Sequence, residues 1–389
     1  MQKYLNYSLD WLKKHGAEHT AKEICQQPKI WRDLLQLIDR NRTQLQTFLK
    51  PLLSDPSLEI ILTGAGSSAF GGVALAPWLR EHTHRNVHAY GTTEIVADPL
   101  QYFSPNKKTL MVSFARSGNS PESVATVKLA DQLISDCYHL FLICNPNCAL
   151  IDYATSNNSS NRILQLVMPE GAHDLGFAMT SSISSMMLAA LLLLGNIDHV
   201  MAHKAVMEIA RVCEQKIESW QQITKQLAHK NHERVIYIGS SCFIGVAQES
   251  ALKILELTAG KIVSRFDSIL GLRHGPKFMI NSQSLVVCFF TNEHYTHQYD
   301  TDLFNELIND HIATDVFVLC GKSSSNKQNI LTVNGDYSDC WLIFPYLIFS
   351  QMLAFEKSLN NGLTPDNPCP TGEVNRVVKG VTIYPFNQI

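Results

Sequence analysis

Short runs of β-prone apolar residues, each followed by a segment of helix length, recur along the chain in two blocks. The first block holds LEIILTG from Leu58, NVHAY from Asn86, TLMVSF from Thr109, HLFLIC from His139 and ILQLVM from Ile163. The second holds RVIYIGSS from Arg234, SLVVCFF from Ser284, DVFVLC from Asp315 and ILTV from Ile330. Runs apolar at nearly every position suit strands buried on both faces, and their alternation with helices predicts parallel sheets covered by helices on both sides. Each block opens with a strand, a Gly/Ser turn and a helix, as ILTGAGSSAFGG from Ile61 and IYIGSSCFIGVAQES from Ile236. The two openings stand about 175 residues apart, too long a period for a solenoid and suited to a duplicated doubly wound domain.

A chain of 389 residues also exceeds what one hydrophobic core usually supports. The predicted organisation is an N-terminal helical segment (1–50), a first α/β domain (51–215), a second (216–372) and a C-terminal tail (373–389). The N-terminal segment carries helical periodicity through Leu34, Leu35, Leu37, Ile38, Leu45 and Leu49, with Pro51 as its punctuation. Its start, MQKYLNYSLDWLKKHG, reads as an amphipathic helix and lacks the apolar core and cleavage site of a signal peptide, so a cytoplasmic location is expected. A long helical stretch is predicted from about Ser181 to Leu227. Within it, Met186–Leu194 is too short and apolar a run to cross a bilayer, which takes roughly 20 residues, and reads as a buried helix.

A net charge of -3 leaves no basic footprint for nucleic acid. Neither a nucleic-acid nor a membrane partner is expected. The ten cysteines include no Cys-x-x-Cys pair, and no His cluster at zinc spacing accompanies them; Cys144 and Cys148 are the one close pair. They read as reduced structural thiols, with no metal site.

Several segments carry candidate chemistry. Gly64, Gly66, Ser67 and Ser68 fall where the first strand of the first domain ends and a helix begins. That edge of an open α/β sheet, with its helix N-terminus, suits an anion such as phosphate, although an ordinary Gly-rich turn would look the same. The pattern lacks the spacing of a dinucleotide fingerprint and has no P-loop lysine. Two strands later, Ala115–Ser123 offers Ser117, Gly118 and Ser120 at the same edge. Several neutral donors suit a phosphate monoester that must leave after each turnover; Ser120-Pro121-Glu122 is equally a good helix start.

In the second domain Glu249, Lys253 and Glu256 fall at i, i+4 and i+7, on one helical face. Spacing alone would suit a solvated salt-bridged face, but Ala251, Leu252, Ile254, Leu255 and Leu257 fill the rest of the helix. His274 lies in the Gly/Pro-bounded RHGPK segment, where an imidazole can move protons or simply face solvent. The tail, with its Pro-rich tract from Gly362 to Glu373, Asn375-Arg-Val-Val-Lys379 and a strand-like VTIYPF, reads as pinned onto the body rather than loose.

Together GAGSS, ARSGNS, the ESALKILE helix, the RHGP loop and NRVVKGVTIY resemble the SIS (sugar isomerase) superfamily, in particular the isomerase half of glucosamine-6-phosphate synthase. FDSILGLRHGPKF and TPDNPCPTGEVNRVV bring the chain nearer still to the galactosamine-6-phosphate deaminase/isomerase group, which also carries the name tagatose-6-phosphate ketose/aldose isomerase. The likeness keeps motif order over nearly all of the chain after residue 50. It implies two tandem SIS domains, each a three-layer αβα sandwich around a five-stranded parallel sheet of flavodoxin-like type.

The resemblance also assigns roles. Gly66, Ser67, Ser68, Ser117, Gly118 and Ser120 would hold a sugar phosphate. Glu256 would carry a proton between C1 and C2, Lys253 would share its helix, and His274 would open the sugar ring, reaching in from the partner of a homodimer whose active sites lie at the subunit interface. Lys379 would match a lysine that forms a Schiff base in the synthase. The chain departs from the synthase at Asp174–Ser182, where Ser181 replaces a lysine, and no amidotransferase domain precedes the SIS pair, so deamination is expected in place of synthesis. No metal or organic cofactor is implied. The expected reaction is conversion of galactosamine-6-phosphate to tagatose-6-phosphate and ammonia; the alternatives are aldose–ketose isomerisation without deamination, and a non-catalytic sugar-phosphate sensor.

Overall fold

The computed structural model describes residues 2–156, 161–322, 329–378 and 380–387. It begins with strands β1 (Lys3–Tyr4) and β2 (Tyr7–Ser8) and helices α1 (Leu9–Lys14), α2 (Glu18–Arg40) and α3 (Arg42–Leu53). There follow β3 (Glu59–Gly64), α4 (Ser67–Thr83), β4 (Asn86–Gly91), α5 (Thr92–Ala97), β5 (Thr109–Ala115), α6 (Pro121–Leu133), β6 (Cys137–Ile143), α7 (Ala149–Ser156) and β7 (Ile163–Val167). Helices α8 (Ser181–Leu194) and α9 (His199–His229) lead to β8 (Arg234–Gly239), α10 (Cys242–Leu257), β9 (Val263–Asp267), β10 (Ser284–Phe289), α11 (His294–Asp310), β11 (Asp315–Cys320), β12 (Ile330–Thr332) and α12 (Asp339–Asn360).

The chain divides into two compact units, with boundaries inside α2 and α9: one comprises Lys29–Asp174, Ser181–His203 and Gly372–Ile389, the other Met1–Pro28, Leu175–Thr180 and Lys204–Thr371. The first-sheet unit has five strands in the order β4-β3-β5-β6-β7, and the second-sheet unit five in the order β12-β11-β10-β8-β9. Every pairing in both sheets is parallel. Read from the first strand of each, both orders are 2-1-3-4-5, the flavodoxin-like winding. The duplication and the fold class expected from the sequence are therefore both present. The turns opening each unit also match in backbone: Gly66 has φ 56 and ψ -127, and Ser241 has φ 51 and ψ -120.

Burial on both sheet faces follows from the apolar runs. Ile61 and Met111 pack with Ile95, Ala130 and Leu133 under α5 and α6. Their neighbour Leu62 points to the opposite face, as strand alternation requires, and lies within reach of Gly72 in α4. Helix α8, which contains Met186–Leu194, is buried along most of its length. It packs so closely on α4 that a Cβ on Gly71 would meet Ile183 Cδ1 at 2.9 Å. In the second-sheet unit Ile236, Val286 and Val318 pack with Leu303, Phe304 and Leu307 of α11. The other face carries stacked rings, Tyr237 on Phe289 and Phe289 on Tyr346 of α12. No helix among the described residues is long and apolar enough to cross a membrane.

Several local expectations are corrected. The first residues form a β1–β2 hairpin before α1, because Leu5 and Asn6 take positive φ (48 and 62) and Leu5 is buried; Ser8 then caps α1 by accepting from the Trp11 amide at 3.3 Å. Pro51 sits inside α3 rather than ending the helix before it. The stretch predicted from Ser181 to Leu227 is two helices, broken between Leu194 and His199 at Gly195 and a positive-φ Asn196. VTIYPF forms no strand; it lies along the first-sheet unit, where Gln132 Nε2 donates to the Phe386 carbonyl at 3.0 Å and the Phe386 ring packs on the cluster containing Ile61. Strand β9 (VSRFD) is an addition, an edge strand too polar to stand out by apolar content.

Candidate active site

The order of the first sheet puts a reversal between β3 and β5: from β3 the chain moves outward to β4, then crosses back to β5 on the other side. Helices leaving adjacent strands at such a point diverge and leave a crevice at the strand C-termini. β3 and β5 pair directly, in register from Glu59–Thr109 to Thr63–Ser113, about 4.8 Å apart as neighbouring strands must be. The turn bearing Gly66, Ser67 and Ser68 and the loop bearing Ser117, Gly118 and Ser120 thus emerge side by side.

Each loop is shaped by glycine. A Cβ on Gly64 would stand 2.4 Å from Ser68 Cβ, so only glycine lets the strand turn straight into α4. Gly118 has φ +64 and would drive a Cβ to 2.2 Å from Cys148 Sγ. Ser67 and Ser68 are buried in the first turn of α4, while Gly66 is exposed. Asn145 Nδ2 donates to the Ser117 carbonyl at 3.1 Å, and the Ala149 amide donates to Asn119 Oδ1 at 2.9 Å, tying this loop to the next strand end. Ser120 occupies the N-cap position of α6 but makes no side-chain cap. Its hydroxyl donates instead to Glu122 Oε2 at 2.6 Å, so it reaches an anion only by rotating away from that carboxylate.

Three groups sequence reasoning did not single out hold this edge. Asp174, wholly buried, accepts from the Ser181 amide at 3.0 Å, the Ser182 amide at 2.9 Å and Ser182 Oγ at 2.5 Å. It thereby satisfies the first turn of α8, the helix that backs α4. Arg376 of the tail donates to the Asp174 carbonyl and lies 3.3 Å from His173 Nε2. Arg116, next to Ser117, donates to the Arg376 carbonyl at 2.7 Å. Burial, with the Arg376 and Arg116 charges, holds the His173 imidazole below its usual value. The tail is held to the first-sheet unit at Arg376 as well as at Phe386. A cation amid the serines of ARSGNS is the signal that could have pointed to Arg116.

In the second-sheet unit α10 presents the predicted acidic and basic residues together. Lys253 is completely buried, with Nζ 2.5 Å from Glu256 Oε2 and 3.4 Å from Glu249 Oε1. Glu249 is 2% and Glu256 23% exposed at the side chain, so this is no solvated face. A buried ammonium is retained only against carboxylates; it fixes the Glu256 carboxylate and leaves one edge of it accessible. His274 ends a short 3-10 turn, Gly271–His274, and is exposed. Lys379 lies outside the described residues.

The reversal point of the second sheet, between β8 and β10, is filled by the chain itself. Asp300 Oδ2 accepts from the Thr291 amide at 2.8 Å and Ser240 Oγ stands 3.5 Å from Oδ1. Asp339 accepts from the Asn292 amide at 2.8 Å and from Thr291 Oγ1. Donors that would face an anion are thus met by carboxylates, and this edge differs in kind from the one in the first-sheet unit. Burial, with Asp339 nearby, pushes the Asp300 carboxyl from 3.8 up to about 7. A raised carboxyl binds its proton more tightly folded than unfolded, so its contribution to stability is complete below about pH 4 and is lost as pH rises toward 7. Asp300→Asn should therefore flatten the pH dependence of urea unfolding between about pH 4 and 7 by on the order of 3 kcal/mol. An unchanged profile would show that Asp300 titrates normally.

Comparison with known proteins follows the same lines. A SIS domain model matches residues 52–195. The D-galactosamine-6-phosphate deaminase AgaS of Shewanella sp. strain ANA-3 is 41% identical over 382 residues, covering 97% of this chain and 95% of its own. The crystal structure of tagatose-6-phosphate ketose/aldose isomerase from Escherichia coli superposes with a TM-score of 0.87 at 39% identity, covering 95% of this chain and 97% of that one. A Clostridium novyi protein assigned the same isomerase name reaches a TM-score of 0.94, also at 39% identity, over 99% of this chain and 100% of its own. With the repeated 2-1-3-4-5 sheets, the glycine-shaped edge of the first and the Glu–Lys–Glu helix of the second, this likeness over the whole length identifies the chain as a member of the SIS superfamily, in its galactosamine-6-phosphate deaminase/isomerase group of enzymes.

Proposed function

We propose that the protein converts D-galactosamine-6-phosphate and water to D-tagatose-6-phosphate and ammonia. The observation that carries the reading is the accessible Glu256 carboxylate fixed at 2.5 Å by a wholly buried Lys253. A carbon acid next to a carbonyl loses its proton only to a positioned base. In the proposed sequence Gly66, Ser67, Ser68, Ser117, Gly118 and Ser120 bind the phosphate, and His274 transfers the proton that opens the ring. Glu256 removes the C2 proton to give an enolamine and returns a proton to C1. The resulting ketimine at C2 adds water and expels ammonia, which leaves the ketone. Lys253 holds Glu256 in place. Each step is a proton transfer or an addition of water, within reach of side chains alone. Lys379 enters this reading only through the resemblance, as the match of the lysine that forms a Schiff base in the synthase.

The same reading has the protein act as a homodimer in which His274 serves the neighbouring subunit. Leu255, Phe266, Leu270 and Phe278 are 48%, 38%, 47% and 92% exposed. They lie on α10, β9 and the turns beside His274, and apolar surface of this kind marks a contact to be covered. Light scattering at the mass of two chains supports the dimer; the mass of one chain contradicts it.

Deamination and simple isomerisation separate cleanly when tagatose-6-phosphate is supplied. Without ammonium the protein should make no galactose-6-phosphate, and with ammonium it should make the amino sugar. Galactose-6-phosphate formed without ammonium would move the assignment to a non-deaminating isomerase.

A further inference from the structure

We propose that Asp39, His199 and His203 form a binding site for a divalent transition-metal ion, zinc above all, apart from the reaction described above. His199 and His203 stand one turn apart on the first turns of α9 and so share a face. Asp39 comes from α2, far earlier in sequence. Its Oδ1 lies 2.8 Å from His199 Nε2 and its Oδ2 lies 3.0 Å from His203 Nε2. The two imidazole rings are 4.4 Å apart between centroids. All three donor atoms lie within 4.8 Å of one another. Ligands held at 2.0–2.1 Å around a tetrahedral zinc stand about 3.3 Å apart, so closing on an ion takes only small side-chain rotations.

The chemistry of the donors selects the ion. Two imidazoles and one carboxylate suit zinc, cobalt or nickel; magnesium and calcium prefer all-oxygen shells. The side chains are 42%, 33% and 38% exposed for His199, His203 and Asp39, so an ion enters directly from solvent. Three protein ligands leave a fourth position open to water. All three residues belong to the first-sheet unit and line a cavity of 520 Å³ together with Leu35, Leu45 and Leu49. None of them is a residue assigned to substrate or to proton transfer. The His-x-x-x-His spacing escapes a reading of the sequence for zinc motifs because its third ligand is 160 residues away from His199.

The other His/Cys/Asp cluster among the described residues shows what a poor metal site looks like. Asp131, Cys137 and His139 also converge. There the thiol is buried, and burial raises its pKa far above the ordinary thiol range. That disfavours the thiolate a metal needs.

The test uses the whole chain stripped of metal and titrated calorimetrically with zinc alone, then with cobalt followed by its visible ligand-field bands. One ion per chain is expected. The His199→Ala/His203→Ala double variant should lose it, and Asp39→Asn should bind more than about tenfold more weakly, since even outer-sphere partners of metal ligands are worth that much. Circular dichroism matching the unaltered protein establishes that each variant is folded, and Asp39→Asn alone suffices should the double variant not fold. No uptake by the unaltered protein, or equal uptake by the folded variants, overturns the proposal. Neither result bears on ammonia release, so the site and the deaminase reading fail independently.

Discussion

Replacing Glu256 with Gln is expected to leave the affinity for the sugar phosphate within a few-fold of the unaltered protein and to slow turnover by about 10²–10⁴-fold. The change keeps the shape of the side chain and removes its basicity. Lys253 retains Glu249 at 3.4 Å, so the helix does not acquire an uncompensated buried charge. On the proposed reading, phosphate recognition lies at the β3 and β5 edge and should be untouched. Steady-state kinetics alongside calorimetric binding of the substrate separates the two effects, because a lost transition-state contact lowers kcat while substrate binding stays intact. A variant that turns over within tenfold of the parent would remove Glu256 from the chemistry.

The largest stability effect is expected at Asp174. Its carboxylate accepts from the first two amides of α8 and from the Ser182 hydroxyl, at a position with no solvent exposure. Asp174→Ala removes that acceptor without letting water in, and each buried donor so affected costs about 1–3 kcal/mol. Destabilisation of at least about 3 kcal/mol is therefore expected. Since α8 backs α4 through the Gly71–Ile183 approach, the first turn of α4 should loosen as well and the KM for the sugar phosphate should rise. Urea unfolding measures the first effect and kinetics the second. A loss below about 1 kcal/mol would show that α8 finds other acceptors.

Where sequence was informative, the reason is physical. Strands β3, β5 and β10 are buried end to end, and β8 from Val235 onward, and they are therefore apolar at nearly every position; the glycines of GAGSS and RSGN answer to steric demands that a chain writes openly. Glu249, Lys253 and Glu256 were legible because helical spacing brings them onto one face. What escaped was set by tertiary contact. Strand β9 is exposed or half-buried along its whole length at a sheet edge, the Leu5–Asn6 turn depends on burying Leu5, and VTIYPF has strand composition but no strand to pair with. Asp174 and Arg376 meet across 202 residues. The pairing of Ser120 with Glu122 also shows that a hydroxyl at a good helix start need not cap the helix.

The most direct test of the account is ammonia release by the purified, metal-free protein offered galactosamine-6-phosphate and, separately, glucosamine-6-phosphate. The account predicts one ammonia for each tagatose-6-phosphate formed from the galacto sugar. Consumption of that sugar without ammonia, or no turnover of it at all, would contradict the account.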